Sequence, residues 1–246
     1  MTVGELLRDW RRRRHLSQLD LAGAAEVSAR HLSFVETGRS KPSRELLVHL
    51  ASHLDVPLRE QNTLLLAAGY APAYRETPLD DAAMAPITEA LDKILTGHEP
   101  FPAVIINRRW ELVRANAPLL ALMDGVDPAL LEPPVNVLRV SLHPDGLGPR
   151  IGNLDEWSAH LLTRLRREAM LSGDPALGDL YDELREYPGV KEGSDADATS
   201  ASMLFVALKI DDLTFFSTVA TFGTALDVTL AELSIEAFFP AGDLTR

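Results

Sequence analysis

Between Thr2 and Gly69 the apolar positions recur every three or four residues in five short bursts, each led by a residue suited to open a helix. Thr2-Val3-Gly4-Glu5 has the spacing of a capping box, and Leu6, Leu7 and Trp10 follow at helical period, so the first helix should run about 14 residues. Ser17 caps a second carrying Leu21, Ala22 and Ala25. Ser28 opens a third, with Leu32 and Val35 buried and Gly38 as its left-handed stop. Pro42-Ser43 begins a fourth through Leu46, Leu47, Leu50, Ala51 and Leu54. Pro57 begins a fifth that ends at Gly69.

The texture then changes. A polar stretch to Pro78 and a short amphipathic helix through Ile87, Leu91, Ile94 and Leu95 read as a linker and connecting helix. Phe101 to Ile106, a turn at Asn107-Arg108-Arg109, and the alternating Trp110 to Arg114 predict a hairpin, after which Asn116 enters a helix with Leu119, Leu120 and Leu122. Leu154, Trp157, Leu161 and Leu165 line one helical face, and Asp174-Pro175 starts another helix bearing Leu177, Leu180, Tyr181 and Leu184. Lys191 to Ser200 reads as an exposed acidic loop. Strands are expected over Met203 to Ile210, Thr214 to Phe222 and Leu233 to Phe239, with Leu233, Ile235, Ala237 and Phe239 sharing a face.

Charge divides the chain at the same place. Residues 1–75 carry +3 and residues 76–246 carry −15, within a total of −12, so only the first part approaches phosphate favourably. At 246 residues two domains are expected, and no apolar run reaches the length a bilayer requires. The start lacks the basic and apolar stretches of a secretory signal, and the absence of cysteine excludes disulfides and thiolate metal sites. A soluble cytoplasmic protein with no membrane partner is the expectation.

Leu16-Ser17-Gln18, Leu21-Ala22, Val27-Ser28, Leu32-Ser33, Glu36-Thr37-Gly38 and Pro42-Ser43 resemble the lambda-repressor-like helix-turn-helix domain of the Xre family over residues 3 to about 69. Two departures stand out, because the family has glycine where this chain has Glu26 and His15. The resemblance implies that Arg11 and Glu36 form a structural pair tying the first helix to the third. It places DNA contact at the starts of helices two and three. Ala29, Arg30, Ser33 and Phe34 are the base-reading candidates, Arg30 through its guanidinium fork, while Gln18, Ser28 and Arg39 suit phosphate. Arg30 and Phe34 are otherwise plain exposed helix positions, or Phe34 is partly core.

The strand, turn, strand, then Asn at a helix entry looks like the opening of a PAS-type fold. His143-Pro144-Asp145-Gly146, Asn153-Leu154-x-x-Trp157, Thr214-Phe215-Phe216-Ser217-Thr218 and Glu236-x-x-x-Pro240 resemble the MmyB-like ligand-binding domain over residues 100 to 240. The resemblance implies a small apolar, fatty-acyl-like ligand between sheet and helices, with Trp110, Leu161, Phe205 and Phe216 as pocket residues. Those aromatic side chains alternatively fill a dry core. The expected organisation is an all-α five-helix helix-turn-helix domain at 1–72, a linker and connecting helix at 73–95, and an α/β PAS-like domain with an antiparallel sheet at 96–246.

Other chemistry finds little support. The glycines of Gly146 to Gly152 have no leading strand and are interrupted by Pro149, which argues against a phosphate cradle. His49 and His53 one turn apart, and His98, His143 or His160 as haem ligands, read better as solvated or structural, so no metal and no catalytic constellation is expected. A non-enzymatic homodimeric regulator of double-stranded DNA, with fatty acid or a similar small apolar molecule bound rather than any required cofactor, is the leading reading. An antitoxin-like DNA-binding protein whose second domain binds a protein partner is the alternative, and an enzyme on a DNA-binding tether is a third.

Overall fold

In the computed structural model, which describes residues 1–193 and 206–241, Thr2 opens α1 (Val3–Arg13) with a complete capping box. Its hydroxyl accepts from Glu5 N–H at 3.3 Å, and the Glu5 carboxylate accepts from Thr2 N–H at 2.7 Å. The helix runs 11 residues rather than about 14 because the chain turns left-handed at His15 (φ 55°). Ser17, Ser28 and Ser43 each accept a backbone N–H at the starts of α2 (Gln18–Ala24), α3 (Ala29–Glu36) and α4 (Arg44–His53). Pro57 precedes α5 (Leu58–Ala67). The turn between α2 and α3 holds Glu26 at φ 52°, the left-handed region that favours glycine, at a cost of about 1 kcal/mol. Leu7, Leu21, Leu32, Val35, Leu50 and Leu54 form the core of this helical domain. α1 lies so close to α3 that a Cβ on Gly4 would sit 2.5 Å from the Val35 carbonyl oxygen.

The chain separates into two units, one of Met1–Thr77, Met170–Ser172 and Thr224–Ala231, the other of Pro78–Ala169, Gly173–Gly223 and Glu232 onward. In the second unit the elements follow in the order α6 (Ala85–Gly97), β1 (Ala103–Ile106), β2 (Leu112–Ala115), α7 (Ala117–Leu122), α8 (Val137–Leu142), α9 (Leu154–Ser172), α10 (Pro175–Leu184), β3 (Leu208–Ile210), β4 (Leu213–Thr221), α11 (Val228–Ala231) and β5 (Ser234–Pro240); α11 and the last residues of α9 fall to the first unit. The sheet is antiparallel throughout, ordered β2-β1-β5-β4-β3, and with its helices makes a PAS-like domain. α6, read from sequence as a connector, packs within this unit. Leu91 and Leu95 are buried, the Leu95 carbonyl accepts from Asn116 Nδ2 at 3.3 Å, and the His98 ring lies 4.7 Å from that of Phe239.

Asn116 explains the junction of β2 and α7. Its side-chain oxygen accepts from Leu119 N–H, capping the helix, and from Ala103 N–H at 2.9 Å, while its nitrogen donates to the Phe101 carbonyl at 2.8 Å. Every polar atom of this buried amide is engaged, so the packing costs little desolvation.

Three strand expectations are corrected. Trp110 lies in the turn before β2 rather than in the strand, at φ 62°, and a bulge between Ile105 and Ile106 accommodates the change. β4 and β5 begin or end one residue away from the expected limits. The pairing of Val104 with Glu236 and of Ser217 with Phe238 puts Val104, Phe215, Ser217, Glu236 and Phe238 on the face toward α9, and Ile105, Phe216, Ile235, Ala237 and Phe239 on the other. Of the strand expected from Met203, residues through Phe205 lie outside the described residues, as does Ser194 to Ser200 of the acidic loop.

Candidate nucleic-acid interface and ligand cavity

The basic run Arg11 to Arg14 divides its labour by helical geometry, since consecutive side chains point about 100° apart. Arg11 Nε and Nη2 donate to the Glu36 carboxylate at 2.7 and 2.9 Å, and Arg11 Nη1 donates to the Leu16 carbonyl at 2.7 Å. Arg14 caps the end of α4 through the Leu54 and Asp55 carbonyls at 2.7 and 2.8 Å. Arg13 lies over the Trp10 ring at 5.6 Å, and Arg12 is exposed. Burial works against ionising Glu36, but hydrogen bonds from Arg11 and Gln18 and the nearby Arg11 and Arg8 charges outweigh it, and the carboxyl sits below its usual range. Arg11, bonded to Glu36, is raised above an ordinary arginine.

Arg30 is exposed on the first turn of α3, and its guanidinium stacks 5.4 Å from the centre of the half-buried Phe34 ring. Arg39 covers the same ring at 5.9 Å. Phe34 therefore organises two cations at one surface, each worth about 0.5–1 kcal/mol in the stack. Ser28 is committed to capping, its oxygen accepting from His31 N–H at 3.4 Å, while its hydroxyl hydrogen stays available to a phosphate. Ser33 is half-buried. Two candidates are placed differently from the sequence reading. Ala29 is half-buried against the core of the helical domain, so little of its methyl remains for a thymine. Gln18 turns its amide nitrogen to Glu36 at 2.7 Å, which makes it part of the Arg11–Glu36 lock.

In the PAS-like domain a cavity of about 80 Å³ lies between the sheet and α7 to α9. Trp110 and Leu161 line it, with Leu119, Val140, Phe215 and Phe238. Phe216 does not. One residue of register places it on the opposite face, where its ring stacks on Phe239 at 5.3 Å. Phe205 lies outside the described residues. Leu122 and Phe215 also line an adjoining open groove of about 400 Å³ with Phe101 and Pro118.

The cavity wall also holds the carboxyl of Glu236, only 5% exposed, a residue that the sequence reading placed in a family motif but not among the pocket residues. Burial pushes it above the ordinary carboxylate range, and Arg164 at 3.5 Å and a hydrogen bond from Ser217 only partly offset that. Arg164 is itself shared. Its Nε donates to Glu168 at 3.0 Å, its guanidinium lies 4.2 Å over the Trp110 ring, and Trp110 Nε1 donates to Glu168 at 2.8 Å. This cluster fixes the strained Trp110 in the cavity wall. Ser141, accepting from Trp157 Nε1 at 3.1 Å, is a second polar lining residue.

Among the described residues there is no group of three or more histidine, aspartate or glutamate side chains that could hold a metal, and His49 and His53 bond instead to the Ala25 and His49 carbonyls. No described helix is long and apolar enough to cross a membrane.

Comparison with known proteins agrees with this geometry. Residues 2–64 match a helix-turn-helix domain model, and residues 87–246 match the MmyB-like transcription regulator ligand binding domain. Over 60 residues the chain is 42% identical to the HTH-type transcriptional regulator DdrOP3 of Deinococcus deserti, a match covering 24% of this chain and 46% of that protein. With nearly two thirds of its length in the second match, the chain belongs to the MmyB-like family of transcription regulators, carrying a helix-turn-helix domain for DNA and a ligand-binding domain.

Proposed function

We propose that the protein is a homodimeric regulator that reads an operator through Arg30 and its neighbours on α3, and whose affinity for that operator changes when a small apolar molecule fills the cavity of the PAS-like domain. The observation that carries the sensor half is the cavity itself, apolar but for Glu236 and Ser141, in a domain of a ligand-binding family. A close-packed core leaves few voids larger than a water molecule. At about 80 Å³ the cavity is smaller than the roughly 150 Å³ site known to take benzene, so a fatty-acyl chain enters only if Leu122 and Phe215 part toward the adjoining groove. Dimerisation follows from the reach of α3, since one recognition helix touches too few base pairs for genomic specificity and a two-fold pair reads two half-sites.

Two measurements test the reading. On an operator selected from random duplexes, Arg30→Ala is expected to lose about 1–3 kcal/mol and relax choice at one base pair. Equal loss on operator and random DNA would limit Arg30 to phosphate. Ligand at a hundred times its dissociation constant stabilises the native state by about 2.7 kcal/mol, which for a domain of this size raises the melting temperature by about 5–10 °C. Absence of any shift across a panel of apolar ligands, with none carried through purification, would make the cavity a packing defect.

A further inference from the structure

The helical domain is not made of Met1–Thr77 alone, since Thr224–Ala231, which lies in the chain between β4 and β5, packs within it. One side chain secures this returning strap. Asp227 accepts from Thr77 Oγ1 at 2.6 Å and from Thr77 N–H at 3.2 Å, and it also accepts from Thr229 N–H at 2.9 Å. It thereby caps α11 and fastens it to Thr77 at once. Val228 is buried, with its N–H donating to the Arg75 carbonyl at 2.7 Å. Residues 73–77 are tied in turn to α5. Asn62 accepts from the Ala73 and Tyr74 N–H groups at 2.9 and 3.1 Å, and Tyr74 Oη donates to Gln61 at 3.1 Å. Leu64 of α5 shares its core with Leu32 and Val35 of α3, the helix that carries Arg30.

At its other end the strap has no slack. α11 stops at Ala231, and the next residue, Glu232, already belongs to the second unit, where it pairs with Arg108 at 3.5 Å. Leu233 after it is buried, and β5 starts at Ser234. β4 and β5 pair from Phe215 with Pro240 to Thr221 with Ser234, and Phe215 and Phe238 line the cavity. Strands bonded in register move together, so a displacement at either phenylalanine runs along the ladder toward the strap. We propose that Thr224–Ala231, fastened by Asp227 to Thr77, is the element that couples the cavity strands to the DNA-binding domain. The inference rests on the regulator reading above and adds the element through which cavity and operator affect each other. Coupling is reciprocal: if filling the cavity alters operator affinity through the strap, operator must alter the stability of β4 and β5. An opening of these strands that pulls on α11 is opposed when DNA stabilises the domain to which α11 is fastened.

The test uses the full chain, an operator selected from random duplexes and hydrogen exchange resolved by peptide, with no ligand added. Saturating duplex is expected to slow exchange at residues 219–221 and 234–236 by about fivefold or more. Thr77→Val deletes the hydroxyl donor and leaves the α11 cap, and it should weaken that response about twofold or more. Asp227→Ala removes fastening and cap together and should abolish the response, and both variants should hold duplex affinity within about twofold of wild type. If Asp227→Ala does not fold, Thr77→Val decides. Exchange in β4 and β5 that ignores the duplex in the wild type overturns the inference and leaves the DNA and ligand readings standing. A response undiminished in either variant overturns the fastening by Asp227. Duplex affinity lost in both variants makes the pair a brace of the DNA-binding domain and overturns the inference too. No duplex bound by the wild type overturns the regulator reading with it.

Discussion

Each domain buries one glutamate beside an arginine, and the two pairs behave in opposite ways. Glu36, 2% exposed, receives two hydrogen bonds from Arg11 and a third from Gln18, and its carboxyl is held below the usual range. Glu236, 5% exposed, lies 3.5 Å from an arginine that another carboxylate shares and accepts from Ser217, yet burial pushes it up. Equal burial therefore does not mean equal role. A buried pair in which both charges are matched fixes geometry, here the approach of α1 to α3 that presents Arg30, whereas a carboxyl that burial pushes toward its neutral form is held less firmly by its cation. The first is a lock and the second is a carboxyl whose ionisation its burial opposes.

Breaking the lock gives the largest expected effect. Glu36→Gln keeps the shape but leaves the Arg11 charge buried and unpaired, and it should destabilise the helical domain by about 3–5 kcal/mol. Hydrogen exchange resolved by peptide should show faster opening of α1 and α3, with β1 and β5 unaffected. Loss spread evenly over both domains would mean that the pair is not local to the first. Gln18→Ala removes the third donor and should cost about 1 kcal/mol of the same stability, raising the Glu36 carboxyl toward its ordinary value. If Gln18→Ala weakens DNA binding on all sequences and leaves that stability untouched, its amide belongs to phosphate after all.

The lock was legible in the sequence, whereas Glu236 stood there only as a motif residue with no role in the pocket. Ser-x-x-Asp and Thr-x-x-Glu announce their caps because the chemistry is local, and the resemblance to the Xre pattern pairs Arg11 with Glu36 and marks His15 and Glu26 as places where glycine is usual; both take positive φ. In the second domain the decisive facts are not local. Phe215-Phe216 reads equally well in either phase, and one residue of register exchanges the cavity for the far face. Glu236 enters the sequence reading only within the Glu236-x-x-x-Pro240 motif, and its burial and its neighbour appear when strand pairing and α9 place Arg164 beside it. Trp110, apparently a strand residue, is set in its turn by Glu168 and Arg164 from far along the chain. Ala29 faced the core for a similar reason, since helix spacing alone leaves its direction open.

The smallest effect separates the two carboxyls most cleanly, because acid acts on them with opposite sign. Glu36 is depressed in the folded chain, so its contribution is present above the unfolded value near 4.5 and is lost as the pH falls through the folded value. Glu236 is raised, so its contribution is full below 4.5 and is lost as the pH rises through the folded value. The groups facing Glu236 are Arg164, Ser217 and Glu168, and of these Arg164 and Ser217 favour the charged form while Glu168 opposes it. Acidifying from neutral pH toward 4.5 should therefore tighten β1 and β5 while leaving α1 and α3 unchanged, and only further acidification below about 4.5 should loosen α1 and α3, read as amide exchange corrected for intrinsic rates. Glu236→Gln cannot ionise, and it should hold the second domain within about 1 kcal/mol of wild type at neutral pH while flattening its slope. A slope in β1 and β5 that survives this variant would assign the titration elsewhere, and would dissolve the contrast between the two glutamates.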